Sequence, residues 1–366
     1  MSIYFILLLY IYVIGFFCFG ITNCSVNNKK MKLLFTILVI VPMGVIVGVR
    51  ESYVGSDTPM YYEIFRWICD SEFSFSIFDD IYHVELGYRW INYLISLFTN
   101  DPHIFMFIVS FTIIILYGKF FYRDSDNIWL SFLLFVGLSF YIETFNTVRQ
   151  QIACTIIFLA TQYLITGNRW KWTISVFLAM FFHITAAFFL LFNFLIPMTK
   201  RRIYFFTFGS LVGLFLVANI LSLIAQLFPD FKYLYYFAQP NMGEGSLGDY
   251  LRAILFTAVL IFVYLKRNAL LGMELDSFEK KRIVLWNIFL LYAIIFIVAK
   301  QEYAIFYRMI QYCSPFICLL LPKVLEKLGL IRYQLYFMLF FILPLVLYYL
   351  LKINISALMY SSFLLD

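Results

Sequence analysis

The chain has 366 residues, 63% of them hydrophobic and only 13% charged, with a formal net charge of +6 and a mean hydropathy of +0.88. Soluble domains carry about a quarter charged residues, so this composition cannot clothe a water-facing surface. Apolar runs recur that are long enough to cross a ~30 Å hydrocarbon layer, which takes about 20 helical residues each. They are continuous rather than alternating, which excludes a β-barrel. The fold class expected is an all-α polytopic membrane protein forming one integral domain over 1–366. A basic excess in such a protein marks cytoplasmic loops and calls for no nucleic acid.

The first run, "IYFILLLYIYVIGFFCFGIT" (3–22), lacks a basic leader and a small-residue cleavage pattern, and reads as a retained span. Further spans are predicted at 32–49, 104–121, 128–142, 148–166, 203–228, 250–266, 283–299, 307–321 and 333–351, about ten in all. The run 172–197 is broken at Phe182-His183-Ile184-Thr185 and has basic residues at both ends, Arg169 and Lys171 before, Lys200, Arg201 and Arg202 after. Read as a short hairpin, it keeps both basic clusters inside and puts most of the 27 Lys and Arg on the cytoplasmic face. Read as one crossing, it erases that bias. The hairpin is therefore expected, with both termini outside.

On this layout the outer basic residues are mostly arginine: Arg50, Arg66, Arg89, Arg149, Arg252 and Arg308. A guanidinium grips phosphate or carboxylate bidentately, as lysine cannot. The outward loop 50–103 contains two amphipathic stretches, "PMYYEIFRWICD" and "ELGYRWINYLISLF", suited to the membrane interface. A second outward loop, 229–249, is Gly-rich and reads as a lid. The six cysteines show no metal-ligand spacing and no disulfide framework. Neither a metal nor a cofactor is expected.

Polar residues gather at five outward places: Arg50-Glu51 with Asp57-Thr58, Glu85 to Arg89, Glu143 to Gln151, His183-x-Thr185, and Arg308. Ionisable groups at membrane depth usually serve a function or pair with each other. Each also has a plainer reading. Thr58 can cap a helix that begins at Pro59; Glu85 and Arg89 can form an i,i+4 surface pair; Arg149 can snorkel; His183 can be a satisfied turn residue. Taken as one set, they suit an anionic ligand such as a lipid-linked pyrophosphate sugar, whose leaving group the arginines would stabilise. A carboxylate or His183 would deprotonate an acceptor hydroxyl.

The ordered set Arg50-x4-Gly55-x-Asp57-Thr58-x2-Tyr61, Glu85-x-Gly87-Tyr88, Asn146-x2-Arg149-Gln150, "FFHITA" (181–186) and "YRMIQY" (307–312) resembles the EpsG-type branch of Wzy-like polysaccharide polymerases. The resemblance implies a metal-independent glycosyltransferase on the outer face of a bacterial inner membrane. It would extend capsule, exopolysaccharide or O-antigen from undecaprenyl pyrophosphate. It implies Arg149 and Arg308 as pyrophosphate clamps with Arg50 in support, and Asp57, Glu85 and His183 as competing candidates for the base. Thr58, Tyr61, Tyr88, Asn146 and Gln150 would bind glycan. The partners expected are the lipid-linked oligosaccharide, membrane lipids, a chain-length regulator and a flippase. The rival readings are a glycan ligase, a C-type glycosyltransferase and a flippase of lipid-linked saccharides.

Overall fold

The computed structural model describes residues 2–21, 28–71, 84–210, 212–213, 247–271, 277–300, 305–328 and 362. Among them the protein is helical, without a strand; Arg50 and Ser362 make one isolated antiparallel bridge. The helices are α1 (Ser2–Gly15, continued by a π-helical turn Phe16–Ile21), α2 (Lys29–Gly48), α3 (Thr58–Asp70), α4 (Leu86–Ser96), α5 (Pro102–Asp124), α6 (Ile128–Gly137), α7 (Phe140–Asn146), α8 (Val148–Ile165) and α9 (Arg169–Met180). A 3-10 segment, Ile184–Leu195, follows. Then come α10 (Leu247–Leu265), α11 (Arg267–Leu271), α12 (Phe278–Ala299), α13 (Ile305–Cys313) and, after the 3-10 turn Ser314–Phe316, α14 (Ile317–Lys327).

Among the described residues six stretches are long and apolar enough to cross a membrane: Ile3–Gly20, Lys29–Gly48, Pro102–Asp124, Gly248–Leu265, Phe278–Ala299 and Ile305–Lys327. The pair α6 and α7, bent by 56°, makes a seventh if counted as one broken span. About ten were predicted. Most of 203–228 and all of 333–351 lie outside the described residues. The run 148–166 does form a helix, but Arg149, Gln150 and Gln151 lower the apolarity of α8, and its face carrying Ala153, Cys154, Ile157 and Phe158 is buried in protein. The predicted lid at 229–249 likewise falls almost wholly outside the described residues.

Two compact units divide the chain. The first holds the described residues of 1–158 and 177–186, with Ser362; the second holds those of 159–176 and 187–328. In the first unit α2 and α5 pack closely, because Gly44 and Gly48 present bare backbone to Phe111 and Phe107. A Cβ at Gly44 would lie 2.5 Å from the Phe111 ring, the small-residue contact by which membrane helices approach. In the second unit Trp172 Nε1 donates to the Phe189 carbonyl (3.1 Å) and Thr173 Oγ1 meets Asn193 Oδ1 (3.1 Å). Those bonds fold the 3-10 segment back along α9, so 172–197 is a hairpin.

α7 owes its tilt to Ser139, a non-glycine residue at φ 66° between α6 and α7. Serine pays for that left-handed backbone, and the redirected helix carries the Phe145 carbonyl and the Asn146 side chain to the loop before α3.

Candidate functional site

Arg50 follows α2 and turns inward, fully buried. Its guanidinium donates to the carbonyls of Val47 (2.5 Å) and Phe145 (3.1 Å) and to Ser110 Oγ (2.9 Å), and lies 5.5 Å from the Phe145 ring centre. Burial lowers its pKa from the ordinary arginine value. A guanidinium so engaged ties α2, α5 and α7 together. These bonds give Arg50 a structural role, with its Nε buried and without a hydrogen-bond partner; the support for pyrophosphate expected of it is a separate matter that these contacts do not test.

The loop "GSDT" is built onto the end of α7. Gly55 adopts φ +100°, and a Cβ there would meet the Phe145 carbonyl at 2.7 Å and Asn146 Oδ1 at 2.8 Å. Only glycine fits. The next amide, of Ser56, donates to Asn146 Oδ1 (2.9 Å), so Asn146 holds the loop. Thr58 is buried; its Oγ1 donates to the Val54 carbonyl (2.8 Å) and lies 3.3 Å from the Phe145 carbonyl. The cap of α3 is Asp57, not Thr58 as the sequence suggested, and Pro59 stands second in the helix. The Asp57 side chain makes no capping bond; its Oδ1 accepts from Ser56 Oγ (3.1 Å) and the residue is half-exposed. A carboxylate beside the positive end of a helix dipole, uncommitted to the cap, is left available for chemistry.

Glu85 precedes α4 as its N-cap, again without a side-chain capping bond. Its carboxylate instead forms an ion pair with Arg149 of α8, and both side chains are largely buried, 14% and 19% exposed. The i,i+4 pair with Arg89 is thus replaced by a partner 64 residues away. Tyr61 also hydrogen-bonds Arg149, and its ring lies 5.4 Å from that of the buried Tyr88. Arg149 Nε is buried without a hydrogen-bond partner, so the guanidinium is not fully saturated. Gln150, beside it, is buried.

The amide of Gly87 donates to the Phe181 carbonyl (2.8 Å), and a Cβ at 87 would lie 2.6 Å from that oxygen. This close approach brings "FFHITA" to the start of α4. Half-buried His183, two residues beyond Phe181, pairs its Nδ1 with Thr185 Oγ1 (2.7 Å).

Four of the five motifs thus meet in the first unit. The fifth carries Arg308, half-buried in the first turn of α13 in the second unit. That unit holds an ion pair the sequence reading passed over: Asp249 of α10 with buried Lys300 at the end of α12. Lys300 also lies 5.8 Å over the ring of Tyr307, the neighbour of Arg308. Tyr62 was missed as well. Its hydroxyl meets His103 Nδ1 (3.1 Å), and burial pushes its pKa up to about 12, so the phenol stays neutral. A lone His after Pro102 was the only sequence signal for that contact.

A family model described as the EpsG family matches residues 32–364. The chain belongs to the EpsG family. The match covers every motif from Arg50 to Arg308. No curated protein and no solved structure matches the chain. EpsG membership and several membrane-length apolar helices together fit a multi-pass membrane protein of polysaccharide production.

Proposed function

We propose that this EpsG-family chain is a glycosyltransferase that polymerises undecaprenyl pyrophosphate-linked repeat units into a surface polysaccharide. It acts at the outer face of a bacterial inner membrane, through which it passes about ten times. The observation that carries this reading is the largely buried Glu85–Arg149 pair, with Tyr61 on the same guanidinium, where four family motifs converge. A guanidinium oriented by a carboxylate and a phenol suits a pyrophosphate oxygen.

In the transfer, an acceptor sugar hydroxyl attacks the anomeric carbon of the growing glycan. The bond from that carbon to the pyrophosphate oxygen breaks, and the electron pair leaves with the phosphate. Arg149 stabilises the negative charge that develops there. The hydroxyl's proton goes to a base, for which Asp57 is the candidate: it is half-exposed and its side chain makes no capping bond. Glu85, already paired, acts chiefly by orienting Arg149. His183 is the alternative base or the donor to the leaving phosphate. The clamp role of Arg308 rests on the family resemblance alone.

The test is a proteoliposome assay with one lipid-linked repeat unit, read as a glycan ladder. Arg149→Ala and Asp57→Asn should each abolish the ladder while the protein stays folded. New ladder bands at the normal rate in Arg149→Ala would refute the clamp; export of intact lipid-linked units without elongation would point to a flippase instead.

A further inference from the structure

Within the second unit a cavity of about 840 Å³ lies between the 3-10 segment and the helix that begins at 200. Phe188, Phe194, Phe205 and Phe206 give it apolar walls, and Arg201 and Arg202 stand at one end. Gly209 and Gly213 leave it open: a Cβ at either would meet nothing within 4 Å. Spaced four apart on one helix face, these two positions withhold side chains where the cavity needs room.

The charge is equally one-sided. Among the described residues no carboxylate pairs with Arg201 or Arg202. Arg202 donates to the Ile196 carbonyl, which also accepts from Arg169 (2.8 Å). Arg201 lies 5.5 Å over the Phe205 ring and is exposed. An unneutralised arginine pair at one end of an aromatic slot is complementary to a molecule with an anionic head and long apolar chains. The positive-inside preference puts this end at the cytoplasmic leaflet, where anionic headgroups attract basic residues.

We infer that this cavity is a binding site for an anionic glycerophospholipid, its phosphate at Arg201 and Arg202 and an acyl chain along Phe188, Phe194 and Phe206. The inference does not depend on the proposed glycan transfer. Its size falls in the range of ordinary ligand pockets, about 300–1,000 Å³, and its lining is that of an apolar pocket with a few placed polar groups.

The full chain, purified in a neutral detergent, tests it by thermal unfolding and native mass spectrometry. Dioleoyl phosphatidylglycerol should raise Tm and stay bound on ionisation, whereas dioleoyl phosphatidylcholine should do neither. Arg201→Gln should weaken phosphatidylglycerol roughly fivefold. Gly209→Leu should abolish its binding with circular dichroism unchanged, because the added side chain enters empty space. Equal effects of the two lipids would overturn the site, as would an equal Tm rise from inorganic phosphate. Phosphatidylglycerol binding unaltered by both variants would also overturn it. Tighter, Gly209→Leu-sensitive binding of undecaprenyl phosphate would reassign the cavity to the prenyl substrate and overturn it too.

Discussion

Two arginines, Arg50 and Arg149, illustrate how one residue type serves opposite ends. Arg50 is fully buried, and its two terminal nitrogens donate to two carbonyls and a hydroxyl of the scaffold. Removing it leaves those acceptors dry, at ~1–3 kcal/mol apiece. Arg50→Ala should therefore lower Tm sharply in detergent, with activity lost only as the fold is lost. A variant with normal Tm and no turnover would restore Arg50 to the phosphate. Arg149 is instead oriented by two side chains, Glu85 and Tyr61. Arg149→Lys retains the charge but not the fork, so elongation should fall by about 10²–10³-fold, the scale of losing one preorganised donor to developing charge. The ladder assay reads it. Motif residues were legible in the sequence, but this division of labour was not. Glu85 finds its partner 64 positions away, whereas sequence spacing reaches only one helical turn and so suggested Arg89.

At the scale of elements, the helix starts are where short-range reasoning came closest. Ser-Asp-Thr-Pro announced a helix, and α3 begins there; the cap is one residue earlier than Thr58 because the Thr58 hydroxyl is taken by the Val54 carbonyl. Gly55 is the hinge of that start. Gly55→Ala should destabilise by about 1–3 kcal/mol from the backbone alone, before the collision with the Phe145 carbonyl is added. Chemical denaturation or Tm measures the loss, and an unchanged midpoint would deny the packing described. The hairpin over 172–197 followed from charge bookkeeping across the membrane, and the Trp172–Phe189 bond gives it a physical pin. Trp172→Phe should weaken it by about 1 kcal/mol or more, since the Phe189 carbonyl loses its donor. The tilt of α7 had no sequence signal: serine at 139 gives no warning of a left-handed backbone.

For the whole molecule, apolarity declared the class at once, but the number of crossings is a separate matter. α8 is helical and falls short of span-like apolarity at its polar first turn, where Arg149 sits. A helix that opens on Arg149, Gln150 and Gln151 is polar where it starts, which a hydropathy reading sees only as weakness. The layout that puts Arg50, Arg89 and Arg149 outside and Arg169, Arg201 and Arg202 inside makes a direct prediction. In a background without native cysteines, Tyr53→Cys should react with a membrane-impermeant maleimide on intact cells. Trp170→Cys should react only after permeabilisation. Both side chains are exposed, at 63% and 77%, so accessibility within the protein does not limit either. The reverse pattern would invert the layout.

The Phe145 carbonyl accepts from Arg50 and lies within reach of Thr58 Oγ1, so the end of one short helix is the shared anchor of two motifs. An oxygen of the main chain has no codon. A genetic screen for loss of polymer should therefore return alleles at 50, 55 and 58 in abundance and stay nearly silent on the atom that unites them. Suppressors of those alleles should arise instead where α7 is aimed, at 137–139, as changes that redirect the helix rather than replace a contact.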